Sequence, residues 1–106
     1  MRFTQEQLKY IMDYAKDKEA RGLAVKHFDW NNASQDDLRY IMRYAKDKDA
    51  RDLSVKHFDW KNASQNNLKD IMRYAKDKET QKLAIKLLPK EFNPKKITKQ
   101  DFEEVI

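Results

Sequence analysis

Cysteine is absent from this chain, and glycine and proline nearly so: 106 residues contain no Cys, one Gly and two Pro. Without cysteine there is no disulfide framework and no thiolate chemistry, and the usual zinc sites lose their main ligand. Sheet proteins need turn residues every few positions, so the scarcity of Gly and Pro points to helices. Long apolar runs are missing too, and nothing approaches the ~18 residues a membrane span requires. The opening MRFTQEQLKY has no apolar segment of the signal-peptide kind. The chain reads as cytoplasmic, with no membrane partner.

What is present is a balance of 40% apolar and 39% charged residues. That is apolar enough to fold, at a length suited to one domain with one core. The net charge is +5, yet 18 acids are interspersed among the 23 bases. Nucleic-acid binders usually concentrate their bases on one face.

The chain repeats itself. Leu8, Leu38 and Leu68 lie 30 residues apart, as do Tyr14, Tyr44 and Tyr74. Residues 5–34 and 35–64 are identical at 22 of 30 positions. A third unit, 65–88, follows and then departs into a different tail, 89–106. The exchanges between units, such as Gln7/Asp37, Asp13/Arg43, Gly22/Asp52 and Asn31/Lys61, indicate solvent positions and outline the buried set by exclusion.

Within a unit, Thr4, Ser34 and Ser64 are good helix N-caps, with Gln7 and Asp37 placed for a capping box. Leu8, Ile11, Met12 and Ala15 form one apolar helical stripe. Ala20, Leu23, Ala24, His27 and Phe28 form a second, out of phase with the first across the charged run Lys16-Asp17-Lys18-Glu19. One straight helix cannot present both stripes to one core. Each unit is therefore predicted as two short helices, about 5–15 and 19–28, with Asp17 or a neighbour capping the second and a linker at 29–33. The alternative is one helix over 5–28 and a three-helix bundle, since neither Gly nor Pro interrupts the run.

The predicted fold is all-α: a short right-handed array of helix-turn-helix units. Its end is predicted as a cap, with Thr98 and Asp101 starting a last helix over about 99–106 that carries Phe102, Val105 and Ile106. The segment Ala45-Lys46-Asp47-Lys48-Asp49-Ala50-Arg51 looks like the D-x-(D/E)-x-R stretch between helices of HEAT-like and variant leucine-rich repeats. His57, then Asn62-Ala63-Ser64, then Leu68 is similar to their helix end, linker and next leucine. Residues 5–88 thus resemble an α-solenoid of the HEAT-like kind. The resemblance implies a fold and a role in binding macromolecules, with no catalytic residues to transfer.

Chemistry is hard to find. His27 and His57 are the only histidines, and Asp29 and Asp59 lie close by. Two local ligands fall short of the three or four that a metal needs, so both histidines read as structural, between units. Trp30 and Trp60 occur only where another unit follows, which suits insertion between units better than a role as binding anchors. Ser34 and Ser64 are explained as caps. No nucleophile triad, Gly-rich phosphate loop or metal-binding helix motif is present, so neither enzymatic activity nor a cofactor is expected.

The tyrosines carry more. Tyr10 and Tyr14 lie i, i+4 on the first helix, away from the Leu8–Met12 stripe. Tyr40 and Tyr44 repeat the pair, and Tyr74 continues it. Lys9, Arg39, Arg43, Lys69 and Arg73 occupy nearby positions. Stacked units would align a ladder of aromatics and bases, suited to an acidic protein surface or a nucleic-acid backbone. Equally, the rings could pack between neighbouring helices with only their hydroxyls wet. Charge rises along the chain, from 0 in unit one to +1 in unit two and +3 over 65–88.

Three functions compete at this point. The first is a protein-interaction module, such as a small adaptor or inhibitor seated on one surface of a larger assembly. The second is nucleic-acid binding through the Tyr/Arg/Lys face. The third is self-assembly through near-identical units.

Overall fold

The computed structural model describes residues 2–89, 94–96, 98, 99 and 102. Among the described residues, six α-helices of equal length form three hairpins: α1 (Gln5–Tyr14) with α2 (Lys18–His27), α3 (Gln35–Tyr44) with α4 (Lys48–His57), and α5 (Gln65–Tyr74) with α6 (Lys78–Leu87). The all-α class holds, and paired helices prevail over one long helix per unit. The predicted capping helix over 99–106 lies, apart from Lys99 and Phe102, outside the described residues.

Each first helix starts at its predicted cap. Thr4 Oγ1 accepts from Gln7 N (3.0 Å) and Gln7 Oε1 accepts from Thr4 N (2.9 Å), a complete capping box. Ser34 and Ser64 accept from the backbone N–H of Asp37 and Asn67.

The break between paired helices falls at Ala15, Ala45 and Ala75, each with extended backbone. No described residue has positive φ, so these helices end without the left-handed glycine that often closes a helix. Their terminal carbonyls find other donors. Arg21 Nη1 donates to the carbonyls of Ala15 (2.8 Å) and Lys16 (3.1 Å), and Arg51 repeats this on Ala45 and Lys46. The backbone N–H groups of Lys46 and Lys76 donate to Met12 O and Met42 O of the preceding unit, at 3.1 Å each. Carbonyls that a helix end leaves open are thus closed by an arginine of the same unit and by the backbone of the next.

The core runs through the unit junctions. One cluster joins Leu8, Met12, Ala24 and Phe28 of unit one to Ile41, Ala45 and Ala50 of unit two. A second joins Leu38, Met42 and Phe58 of unit two to Leu68, Ile71, Ala75 and Ala84 of unit three. Each fully buried Met, Leu or Ile side chain stabilises by roughly 1.5–3 kcal/mol. The first helices α1, α3 and α5 pack side by side, while α4 meets unit one through the 3-10 turn at Trp30–Asn32. The molecule extends 59 × 23 × 20 Å, as stacking along one direction requires.

The linkers are fixed as well. Gln5 grips the Asp29 backbone through both ends of its side-chain amide, Oε1 accepting from its N–H (2.8 Å) and Nε2 donating to its C=O (3.1 Å). Gln35 Oε1 accepts from Asp59 N at 2.7 Å. Pro89 stands at that place in unit three and has no N–H to offer Gln65.

Candidate interaction surface on the first-helix ridge

The first helices lie side by side, so their outward residues meet across units. The Lys9 ammonium is the most enclosed. Its Nζ lies 2.8 Å from Asp37 Oδ1 and 4.8 Å from each of the Tyr10 and Tyr40 ring centroids. Burial pushes Lys9 down, but the hydrogen bond and charge of Asp37 outweigh it, and the net shift is upward. The Tyr40 hydroxyl donates to Asp13 Oδ2 at 2.5 Å. Burial first, and then that carboxylate, push the Tyr40 phenol well above its ordinary value. Arg39 reaches Asp70 of unit three at 3.3 Å and Asp36 of its own helix.

The rings form a continuous line. Tyr14 and Tyr10 lie 6.4 Å apart, Tyr10 meets Tyr40 edge-on at 5.5 Å, and Tyr40 meets Tyr44 at 4.7 Å. The Arg43 guanidinium then spans to unit three, 4.7 Å from the Tyr44 centroid and 4.1 Å from that of Tyr74. Such contacts contribute roughly 0.5–1 kcal/mol each where exposed.

The two halves of the ridge differ. In unit one the charges are spent internally, on Lys9–Asp37 and Asp13–Tyr40. From Arg43 onward the cations Arg43, Lys69 and Arg73 form no ion pair with a described carboxylate, and Tyr44 and Tyr74 remain exposed beside them. Tyr14 is the most open of the five tyrosines, at 69% exposed, and among the described residues no cation lies over its ring.

Two sequence-level readings need correction here. Asp37 and Asp13 were expected at plain solvent positions; both are half-buried partners of the next unit or the previous one. The Lys9/Arg39 and Ala24/Ser54 exchanges are also not surface events. Lys9 is buried, and buried Ser54 satisfies its hydroxyl on Arg51 O at 2.6 Å.

The junction residues divide. Trp30 donates from Nε1 to Val25 O (3.0 Å), packs edge-on against Phe28 and stacks on His57 of the next unit at 6.2 Å. Trp60 repeats the bond to Val55 O (2.9 Å) and the contact with Phe58. His27, expected between units like His57, is exposed here and lines a groove on unit one.

A junction feature not anticipated from the sequence is an arginine–aspartate clasp. Arg21 Nε lies 2.8 Å from Asp47 Oδ2, and Arg51 Nε lies 2.9 Å from Asp77 Oδ2. The hydrogen bond from Arg21 holds the Asp47 carboxyl below its ordinary value, against the opposing effect of burial. Gln81 takes the arginine's place in unit three and keeps only the carbonyl contact, Nε2 to Ala75 O at 2.8 Å.

Among the described residues no three His, Asp or Glu side chains gather as metal ligands would, and no helix is long and apolar enough to cross a membrane. Comparison with protein families, characterised proteins and solved structures finds no match.

Proposed function

We propose that this chain is a non-enzymatic protein-interaction module. Its docking surface is the C-terminal half of the first-helix ridge, Arg43, Tyr44, Lys69, Arg73 and Tyr74, and its partner presents an acidic surface. One observation carries the reading: the Arg43 guanidinium is held between the Tyr44 and Tyr74 rings with no described carboxylate to neutralise it. Rigid aromatics beside preorganised cations bind with little loss of side-chain freedom, and Tyr and Arg are enriched among residues that dominate binding energy. The resemblance of the units to HEAT-like arrays adds to this reading, because such arrays bind macromolecules along a ridged face.

The test compares partners captured by the full chain and by Arg43→Glu and Arg73→Glu variants. An acidic protein captured by the first and lost by both variants supports the reading. Capture unchanged by either substitution would remove this face. Titration with single- and double-stranded DNA and RNA at about 50 and 200 mM salt covers the second reading, whose mark is strong binding that collapses at the higher salt.

A further inference from the structure

The face of unit one turned away from unit two is uncovered in this structure. A groove of about 650 Å³ lies on unit one, lined among others by Ile11, Ala15, Ala20, Leu23, His27 and Phe3. The same positions one unit on are Ile41, Ala45, Ala50, Leu53 and His57. There the preceding unit covers them. Ile41, Ala45 and Ala50 are at most 1% exposed, and His57 stacks on Trp30. Leu23, by contrast, is 55% exposed.

We propose that this groove docks a helical-hairpin unit of the same kind carried by another polypeptide, one presenting an arginine in the Arg21 position and a Phe-x-Trp corner. The ground is continuity with the interface already built inside the chain. The groove offers the counterparts of the side chains that accept Leu8, Met12, Phe28 and Trp30 at the next junction, with Phe3 along it where Ala33 stands at that junction. Charge adds direction. Asp47 and Asp77 each take an arginine from the unit before. Asp17 holds their place in unit one, exposed, with its carboxylate capping Glu19 N. The chain's own trailing end does not match this demand. It carries Gln81 where the arginine belongs, and Leu88 and Pro89 where Phe and Asp belong. A second copy adding head to tail is therefore disfavoured.

The probe is a labelled 30-residue peptide copying residues 5–34, titrated onto the full chain by fluorescence anisotropy. Saturable binding is expected, at least about tenfold weaker when the chain carries Leu23→Asp or the peptide carries Arg21→Ala. Leu23 is exposed, so its substitution leaves the fold in place. The peptide must fold as it docks, so a second measurement removes that demand. The same 30 residues are joined ahead of Gln5 in the full chain, where effective concentration is high. Docking then slows amide exchange across Lys18–His27 of the original unit one, and Leu23→Asp abolishes the slowing. If the peptide does not bind and the joined unit gives no protection, the proposal is overturned. It is overturned equally if the unmodified chain forms a dimer that Leu23→Asp dissolves, since a second copy would then own the groove.

Discussion

Arg51 and Asp77 close the junction between units two and three, Nε to Oδ2 at 2.9 Å, while Arg51 Nη1 donates to the carbonyls of Ala45 and Lys46. The arginine is buried and the aspartate nearly so. Arg51→Ala takes the donor from two helix-end carbonyls and leaves Asp77 with only the longer Lys48 contact (3.8 Å), and breaking a buried pair costs about 3–5 kcal/mol. The lower end of that range is expected here, read as a fall in the urea midpoint. Arg51→Gln copies Gln81, whose amide retains the carbonyl contact, and should lose clearly less. Equal losses for both variants would show that the carbonyl contact contributes nothing.

The clasps also set an acid limit. The hydrogen bond from Arg21 depresses the Asp47 carboxyl in the folded state. A depressed carboxyl adds stability that is present above its unfolded value, near pH 4, and is lost as pH falls through the lower folded value. Urea midpoints between pH 5 and pH 2 should therefore drop less steeply for Asp47→Asn than for the parent chain. Parallel curves would contradict this assignment.

An alkaline limit comes from the ridge. The Tyr40 phenol is raised by burial and by its bond to Asp13, so the folded state keeps a proton that the unfolded chain loses near pH 10. Stability is then fully present below pH 10 and declines above it. Lys9, raised chiefly by Asp37, acts in the same direction. Tyr40→Phe should flatten this decline while lowering stability at neutral pH, because Asp13 loses its donor. Midpoints measured from pH 8 to 11 decide it.

Much of the fold was legible because its determinants are local. The phase change between Leu8-Ile11-Met12-Ala15 and Ala20-Leu23-Ala24-Phe28 places the helix break, and Thr4, Ser34 and Ser64 place the starts. What escaped depends on pairs about 26 to 31 residues apart, which no helical period reveals. Arg21 and Arg51 look like ordinary members of a charged run until Asp47 and Asp77 arrive from the next unit. Lys9 looks like a surface cation until Asp37 and Tyr40 cover it. One sign was available: the change from Arg21 and Arg51 to Gln81 in the last unit. His27 and His57 show the converse, identical local sequence with different surroundings: His57 stacks on Trp30, while His27 is exposed.

Trp30 packs against both core clusters and stacks on His57, so it couples units one and two. Trp30 is half-buried, so Trp30→Ala should cost about 3 kcal/mol, the lower end of what truncating a large core aromatic costs. Trp30→Phe should cost less, because it keeps much of the packing and gives up the Nε1–Val25 bond. Hydrogen exchange distinguishes coupling from general loss. In Trp30→Ala, amides of α1 and α2 should open at lower free energy than those of α5 and α6. Uniform loss of protection along the array would mean that the units unfold only together.

The single glycine gives the converse test, a gain. Gly22 lies inside α2 with helical backbone, and a Cβ added there meets no atom within 4 Å. Nothing in the fold requires its freedom, and units two and three carry Asp52 and Lys82 at the same place. Glycine in a helix interior is less favourable than alanine by roughly 0.5–1 kcal/mol, because the unfolded chain loses more freedom on folding. Gly22→Ala should raise the melting temperature by roughly 2–8 °C, given the 4–8 °C per kcal/mol usual for domains of 60–100 residues. The end groove lies on the same hairpin but is formed by other residues, among them Ala20, Leu23 and His27. A stabilised α2 should therefore leave probe binding there intact. A melting temperature that stays level would mean that α2 frays before the array unfolds, so that its backbone entropy is already released in the folded state.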